Sequence, residues 1–323
     1  MLNKIEEGTT SVSKVVSEAF QMSPNTVHNY LNELLAKGII TKGKRGEYKL
    51  VTKQMVYRFQ RSKGELVSDT VAYDRCLAPS LQDAPEHVKH IWAYALSEMV
   101  NNVIDHSQAE HMTIVVSQNY INTTVIIMDN GVGIFEKIKE HFGFPDLETA
   151  ICELFKGKLT TDAENHSGEG IFFTSKMMDV FLIFSSGKVF TTTKYNDEKV
   201  FDIGDLDVGT RVIMSLSNFT QKSAKEIFDL YSNDEGAFST TRIPLKNIFD
   251  SAPVSRSQAK RICERLEKFE KVILDFEGIG WMGQGFAHQL FVVFQKAHPD
   301  IALIPENMGD SVATMYQHVV NTK

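Results

Sequence analysis

Between residues 86 and 216 one strongly periodic helix, alternating-pattern strands and three glycine-bearing turns follow one another in a fixed order. That order leaves few folds open. Residues 86–104 carry apolar side chains at helical spacing, which predicts a helix with one buried stripe. Residues 111–118 and 123–128 read as strands, a loop-rich stretch follows, and residues 172–180 read as a helix. Further strand signals lie at 180–185, 188–194 and 210–216. The pattern implies an α/β sandwich over residues 53–220, with helices covering one face of a mixed sheet. Ahead of it, residues 55–59 suit a strand and residues 60–85 are polar and poorly periodic, with Pro79 and Pro85 breaking any long helix.

At 323 residues the chain exceeds one ordinary core, so flanking units are expected on both sides. Residues 12–20 have helical apolar spacing, Ser23-Pro24-Asn25 makes a capped turn, and residues 26–35 form a second helix. Short strands at 39–42 and 47–51 flank a tip, Gly43-Lys44-Arg45-Gly46, with two glycines and two positive charges. After residue 220 come a connecting helix at 221–235, an extended stretch at 240–244 and an amphipathic helix at 257–268. A buried strand at 271–275, a helix at 284–297, a strand at 301–304 and a last helix at 308–320 complete a small third α/β unit. The fold class is multidomain α/β, with units at 1–52, 53–220 and 221–323.

Net charge is −7, which argues against a surface that coats nucleic acid and leaves room only for a local contact. Within residues 1–52 the balance is reversed, with basic side chains gathered at Lys42, Lys44, Arg45 and Lys49. Cys76, Cys152 and Cys263 are too far apart in sequence to suggest a disulfide framework or a zinc site, so a reducing cytoplasm is the expected setting. No run approaches the ~20 apolar residues of a membrane span.

Glu98 and Asn102, four residues apart on the strong helix, share one face and can share one ligand. An amide oxygen suits magnesium among phosphates and waters, and a carboxylate beside it can orient an attacking water. After the apolar strand comes Asp129-Asn130-Gly131-Val132-Gly133, where glycines let backbone approach a ligand and Asp129 can accept from an adenine amino group. Gly168-Glu169-Gly170 then opens a helical segment, an arrangement that aims backbone N–H groups at phosphate, and the polar stretch 156–165 before it suits a lid. Taken singly these are an exposed helix face, a hairpin turn and a capped loop.

Their order and separation, closed by Gly209-Thr210 at the head of a strand, resemble the GHKL family of ATPases and kinases, the Bergerat fold of gyrase-type ATPases, histidine kinases and anti-sigma-factor kinases. The stretch Ser97-Glu-Met-Val-Asn-Asn-Val-Ile-Asp-His-Ser107 is similar to the N box of the anti-sigma kinases. The resemblance implies ATP and Mg2+ as ligands. It assigns Glu98 as the base, Asn102 to magnesium, Asp129 to adenine and Gly131 and Gly133 to the shape of the adenine pocket. Gly168 and Gly170 would meet phosphates and Thr210 would support the adenine side. The second glycine segment, Gly-Glu-Gly-Ile, lacks the fuller glycine run of histidine kinases.

The first unit resembles a winged helix-turn-helix. That implies DNA contacts from Thr26, His28, Asn29, Lys44 and Arg45, with a homodimer supplying useful affinity. The stretches Ser255-Arg-Ser-Gln-Ala-Lys-Arg261 and Val272-Ile-Leu-Asp-Phe-Glu-Gly-Ile-Gly280 resemble a STAS-like domain, which implies a protein partner. Its loop from Glu277 to Gly285 contains no serine or threonine, so phosphorylation there is excluded. The expected role is a cytoplasmic regulator whose nucleotide state controls DNA binding, with an anti-sigma-type serine/threonine kinase and a non-catalytic ATP-responsive scaffold as alternatives.

Overall fold

The computed structural model describes residues 1–44, 46–159, 168–192, 208–249 and 251–321. The first unit consists of α1 (Leu2–Glu6), α2 (Val12–Phe20), α3 (Pro24–Ala36), β1 (Ile40–Lys42) and β2 (Tyr48–Leu50), with β1 and β2 antiparallel. Ser23 caps α3 by accepting from the Thr26 N–H at 3.1 Å, and Pro24, which has no N–H to lose, opens the helix. Val12, Val16, Val27, Leu31 and Ile40 close a small core that stands apart from the rest of the molecule.

The second unit holds β3 (Lys53–Gln60), α4 (Asp69–Cys76), α5 (Glu86–Asn101), β4 (His111–Gln118), β5 (Asn122–Asp129), α6 (Ile134–Phe142), α7 (Leu147–Lys156), α8 (Gly170–Met177), β6 (Val180–Ser185), β7 (Lys188–Thr191) and β8 (Thr210–Ser217). Its sheet has six strands in the order β3-β4-β5-β8-β6-β7. Every neighbouring pair is antiparallel, which corrects the expected mixed sheet: β8 inserts between β5 and β6 and runs against both. α5 packs between α4 and α8, burying Val88, Ile91, Trp92, Ala95, Leu96, Met99 and Val100. Three helices depart from the expectation of polar or loop-rich sequence. α4 buries only Ala72 and Cys76, too few to show a periodic stripe. α6 alternates a narrow apolar face with charges, and α7 buries Glu153 and Lys156 among its apolar residues, which hides its pattern.

The third unit comprises α9 (Ala224–Tyr231), β9 (Thr240–Pro244), α10 (Leu245–Ile248), α11 (Arg256–Cys263), β10 (Lys271–Asp275), α12 (Gln284–His288), a π-helical continuation at Gln289–Phe294, α13 (Gln295–Ala297), β11 (Ala302–Glu306) and α14 (Asp310–Asn321). Its sheet is parallel in the order β11-β10-β9, and α11 and α12 lie in the crossovers that parallel pairing requires. Val272 and Leu274 of the central strand are fully buried on one face, and Ile273 between them is half-buried on the other. The buried cluster is continuous from the second unit into the third, and α7 packs against β9, α10 and α11. No helix among the described residues is long and apolar enough to cross a membrane.

Candidate functional site

Because its buried stripe fixes the roll of α5, Glu98 and Asn102 face a cavity of about 240 Å3. The helix then widens to π geometry over Asn102–His106, which keeps His106 on the same cavity. Arg61 holds this wide turn, donating to the carbonyls of Val103, Ile104 and Ala109 at 3.2, 3.0 and 2.7 Å. Ser107 ends it, its hydroxyl donating to the Val103 carbonyl at 2.6 Å and accepting from the Ala109 N–H at 2.9 Å.

The turn after β5 docks on that helix end backbone to backbone. The Val132 N–H donates to the Ser107 carbonyl at 2.9 Å, and a Cβ on Gly131 would lie 2.1 Å from the same oxygen. Only glycine fits there. Asn130 ties the turn to β4 by accepting from the His111 N–H at 2.8 Å. The chain continues into α6 rather than a partner strand, so Asn130-Gly131 makes no hairpin. Asp129 is buried and accepts from the Gly131 N–H at 2.8 Å. Burial pushes its carboxyl up to about 6, against the lowering effect of the Gly131 and Thr210 backbone N–H groups.

Gly133 lines the cavity and Thr210 lines it beside Asp129, the Thr210 hydroxyl accepting from the Ile134 N–H at 3.1 Å. Gly209 escaped the sequence-based site. Its φ is +88° and a Cβ there would meet the Asp129 carbonyl oxygen at 2.0 Å, so the strand β8 can pass the turn only as glycine. Also unanticipated is Lys137 on α6, a cavity residue whose Nζ donates to the His106 carbonyl at 2.5 Å and whose pKa burial lowers. Its signal was one helical turn after Gly133, legible only once α6 is known to exist.

At the opposite end, Gly168 and Gly170 line the cavity, and α8 begins at Gly170. A Cβ on Gly170 would lie 1.9 Å from a carboxylate oxygen of Glu98, so this glycine makes room for the Glu98 side chain. Leu159 and Gly168 form the adjoining wall, the Leu159 N–H donating to the Gly168 carbonyl at 3.1 Å. The part of the expected lid at 160–165 lies outside the described residues. Glu98, Asn102, Asp129, Gly133, Gly168, Gly170 and Thr210 thus converge on one cavity, and Gly131 fixes its rim.

Residues 89–218 match the family model of histidine kinase-, DNA gyrase B- and HSP90-like ATPases. This second unit is a GHKL-type ATP-binding domain. Residues 258–313 match the model of a STAS-like domain of unknown function. No curated protein matches the sequence. The GHKL domain's cavity fits its ligand class: apolar walls from Met99, Ile127, Ile138 and Val212 suit a base, and the amide, carboxylates and helix start suit its polar remainder.

None of the residues expected to meet DNA lines this cavity. His28, Asn29 and Lys44 are exposed on the first unit, and Arg45 lies outside the described residues. Thr26 is partly exposed, and its hydroxyl pairs with that of Ser23 at 2.8 Å within the cap of α3.

Proposed function

We propose that the protein is an ATP-responsive regulator, in which ATP and magnesium bind the GHKL cavity and the nucleotide state controls what the first unit contacts. The observation that carries this reading is the convergence of Glu98, Asn102, Asp129 and the glycines at 168 and 170 on one cavity. In this reading Asp129 accepts from the adenine amino group, Thr210 supports that end, and Glu98 orients a water or hydroxyl for attack on the terminal phosphate. The Asn102 amide oxygen is the chain's ligand to magnesium, which when bound neutralises phosphate charge. Among the described residues no three His, Cys, Asp or Glu side chains form a metal cage, which suits an ion that arrives with the phosphates.

The first unit's reading as a winged helix-turn-helix draws on α2 and α3 joined by a capped turn and on the hairpin carrying Lys42, Lys44 and Lys49. His28 and Asn29 would face DNA bases or backbone, Lys44 and Arg45 phosphates, and a homodimer would supply the affinity that one small unit lacks. A cytoplasmic setting, which the free Cys76, Cys152 and Cys263 suit, belongs to this reading. The test is DNA affinity at fixed salt with ATP, with ADP and without nucleotide. Three equal affinities sink the regulatory reading. The placement of Glu98 within the cavity also favours a second reading, phosphoryl transfer to a protein partner held by the STAS-like unit. Radiolabel passing from ATP to a co-purified protein would select it.

A further inference from the structure

The cavity wall at Leu159 is reached from α7 through Gly157 and Lys158, whose φ angles are +81° and +55°. For lysine this left-handed conformation persists only when neighbours hold it. The neighbours belong to the third unit. Lys158 Nζ donates to the Lys268 carbonyl at 2.8 Å and lies over the rings of Phe238 and Phe269. The Lys158 carbonyl accepts from Arg265 Nη2 at 3.3 Å. One residue before Gly157, the Lys156 carbonyl accepts from the Thr241 hydroxyl at 2.7 Å.

Charges buried across the same boundary fix the docking. The Lys156 ammonium donates to Glu153 and to the carbonyls of Arg261 and Glu264, at 3.0 and 2.7 Å for the latter two. Those carbonyls are the open C-terminal end of α11, where a cation is favoured. The other Glu153 oxygen meets Arg265 Nε at 3.3 Å. Such a group adds little net stability after desolvation, but a misplaced partner would strand a buried charge, so one geometry is strongly preferred. Arg265 itself has a φ of +60°, where glycine would sit with less strain. The chain accepts that strain at the position whose side chain holds both Glu153 and Lys158.

We propose that the STAS-like unit is a working part of the nucleotide site: with Arg265 as a positioning residue, it sets the wall made by Leu159 and Gly168 at the phosphate end, so that polyphosphate binding and docking of the unit are coupled. This rests on the nucleotide reading above. The contacts of Asp129, Gly131 and Gly209 at the other end lie within the GHKL domain, so the base is recognised without the third unit. By linkage, the factor by which docking raises ATP affinity is the factor by which ATP strengthens docking.

The test compares the full-length protein with Arg265→Gly by calorimetry, using ATP with magnesium and adenosine as ligands, and follows hydrogen exchange over residues 261–269 in the unsubstituted protein. Arg265→Gly weakens ATP tenfold or more and adenosine less than twofold, and Arg265→Lys recovers part of the loss. ATP, but not adenosine, slows exchange over 261–269. A folded Arg265→Gly that binds ATP as tightly as the parent overturns the coupling, as does exchange indifferent to ATP. If Arg265→Gly does not fold, the exchange experiment on the parent decides alone. A parent that binds neither ligand removes the nucleotide reading and this coupling together, whereas a parent that binds both with no loss in the variant removes the coupling only.

Discussion

The two ends of the cavity are built differently. At the Asp129 end backbone meets backbone: Gly131 against Ser107 and Gly209 against Asp129, with no flexible atom between them. At the Gly170 end the closest neighbour is the carboxylate of Glu98, and although Gly168 meets Leu159 backbone to backbone, that wall as a whole is tied to another unit through the long side chains of Lys158 and Arg265. A contact between main chains cannot adjust, while one through long side chains can. The first end therefore suits a ligand part that never changes, and the second a part that differs between nucleotide states.

The largest effect that probes this contrast is expected from Gly209→Ala. Left-handed strain and overpacking each cost ~1–3 kcal/mol, so a loss of roughly 3 kcal/mol in unfolding free energy is expected, together with loss of adenosine binding. Chemical denaturation checks the first and calorimetry the second. A loss near zero would mean the Asp129 end can yield, and the contrast would fail.

Next comes Asp129→Asn. The Asp129 carboxyl is raised to about 6, so its contribution to folding is fully present below the unfolded value near 3.8 and is lost as pH rises through about 6. Without ligand, the Asp129→Asn variant is therefore more stable than the parent at pH 8, by on the order of 2 kcal/mol, and lacks the step in stability between pH 4 and 6. Adenosine affinity of the parent falls as pH drops below about 6, where the protonated carboxyl no longer accepts freely, and the variant loses both affinity and pH dependence. Melting and titration series across pH 4–8 would show whether either curve is flat in the parent.

The smallest change in stability, less than about 1 kcal/mol, is expected from Gly170→Ala, because alanine favours a helix and the Glu98 side chain can move aside. The displaced carboxylate should cut ATP turnover at least tenfold while ATP affinity changes less than threefold. A large stability loss with turnover intact would make the second end as rigid as the first.

What could be read from the residues follows the same division. Glu98, Asn102 and Asp129 were legible because helical spacing and a strand end place them without knowledge of the fold. The alternating strands and the α/β character of the third unit were legible for similar local reasons, whereas the parallel pairing of its strands was not read from them. α7 was not, because Glu153 and Lys156 spoil its apolar face and become intelligible only when α11 and Arg265 are seen to receive them. Gly209 was visible as a strand opener, yet its necessity comes from Asp129, eighty positions earlier. The wide turn at Asn102–His106 depends on Arg61, some forty positions upstream, which no local pattern reports.

That wide turn also says something about how the chain tolerates length changes. A π turn equals an α-helix with one residue inserted, and each residue turns a helix by about 100°. Removing any one residue between 103 and 106 would let the segment relax to ordinary α geometry while Ser107 keeps its place against Gly131. A single-codon deletion in this stretch is therefore absorbed by the wide turn, whereas one in the regular turns of α5 would roll part of that helix by about 100° and move Glu98 and Asn102 off the cavity.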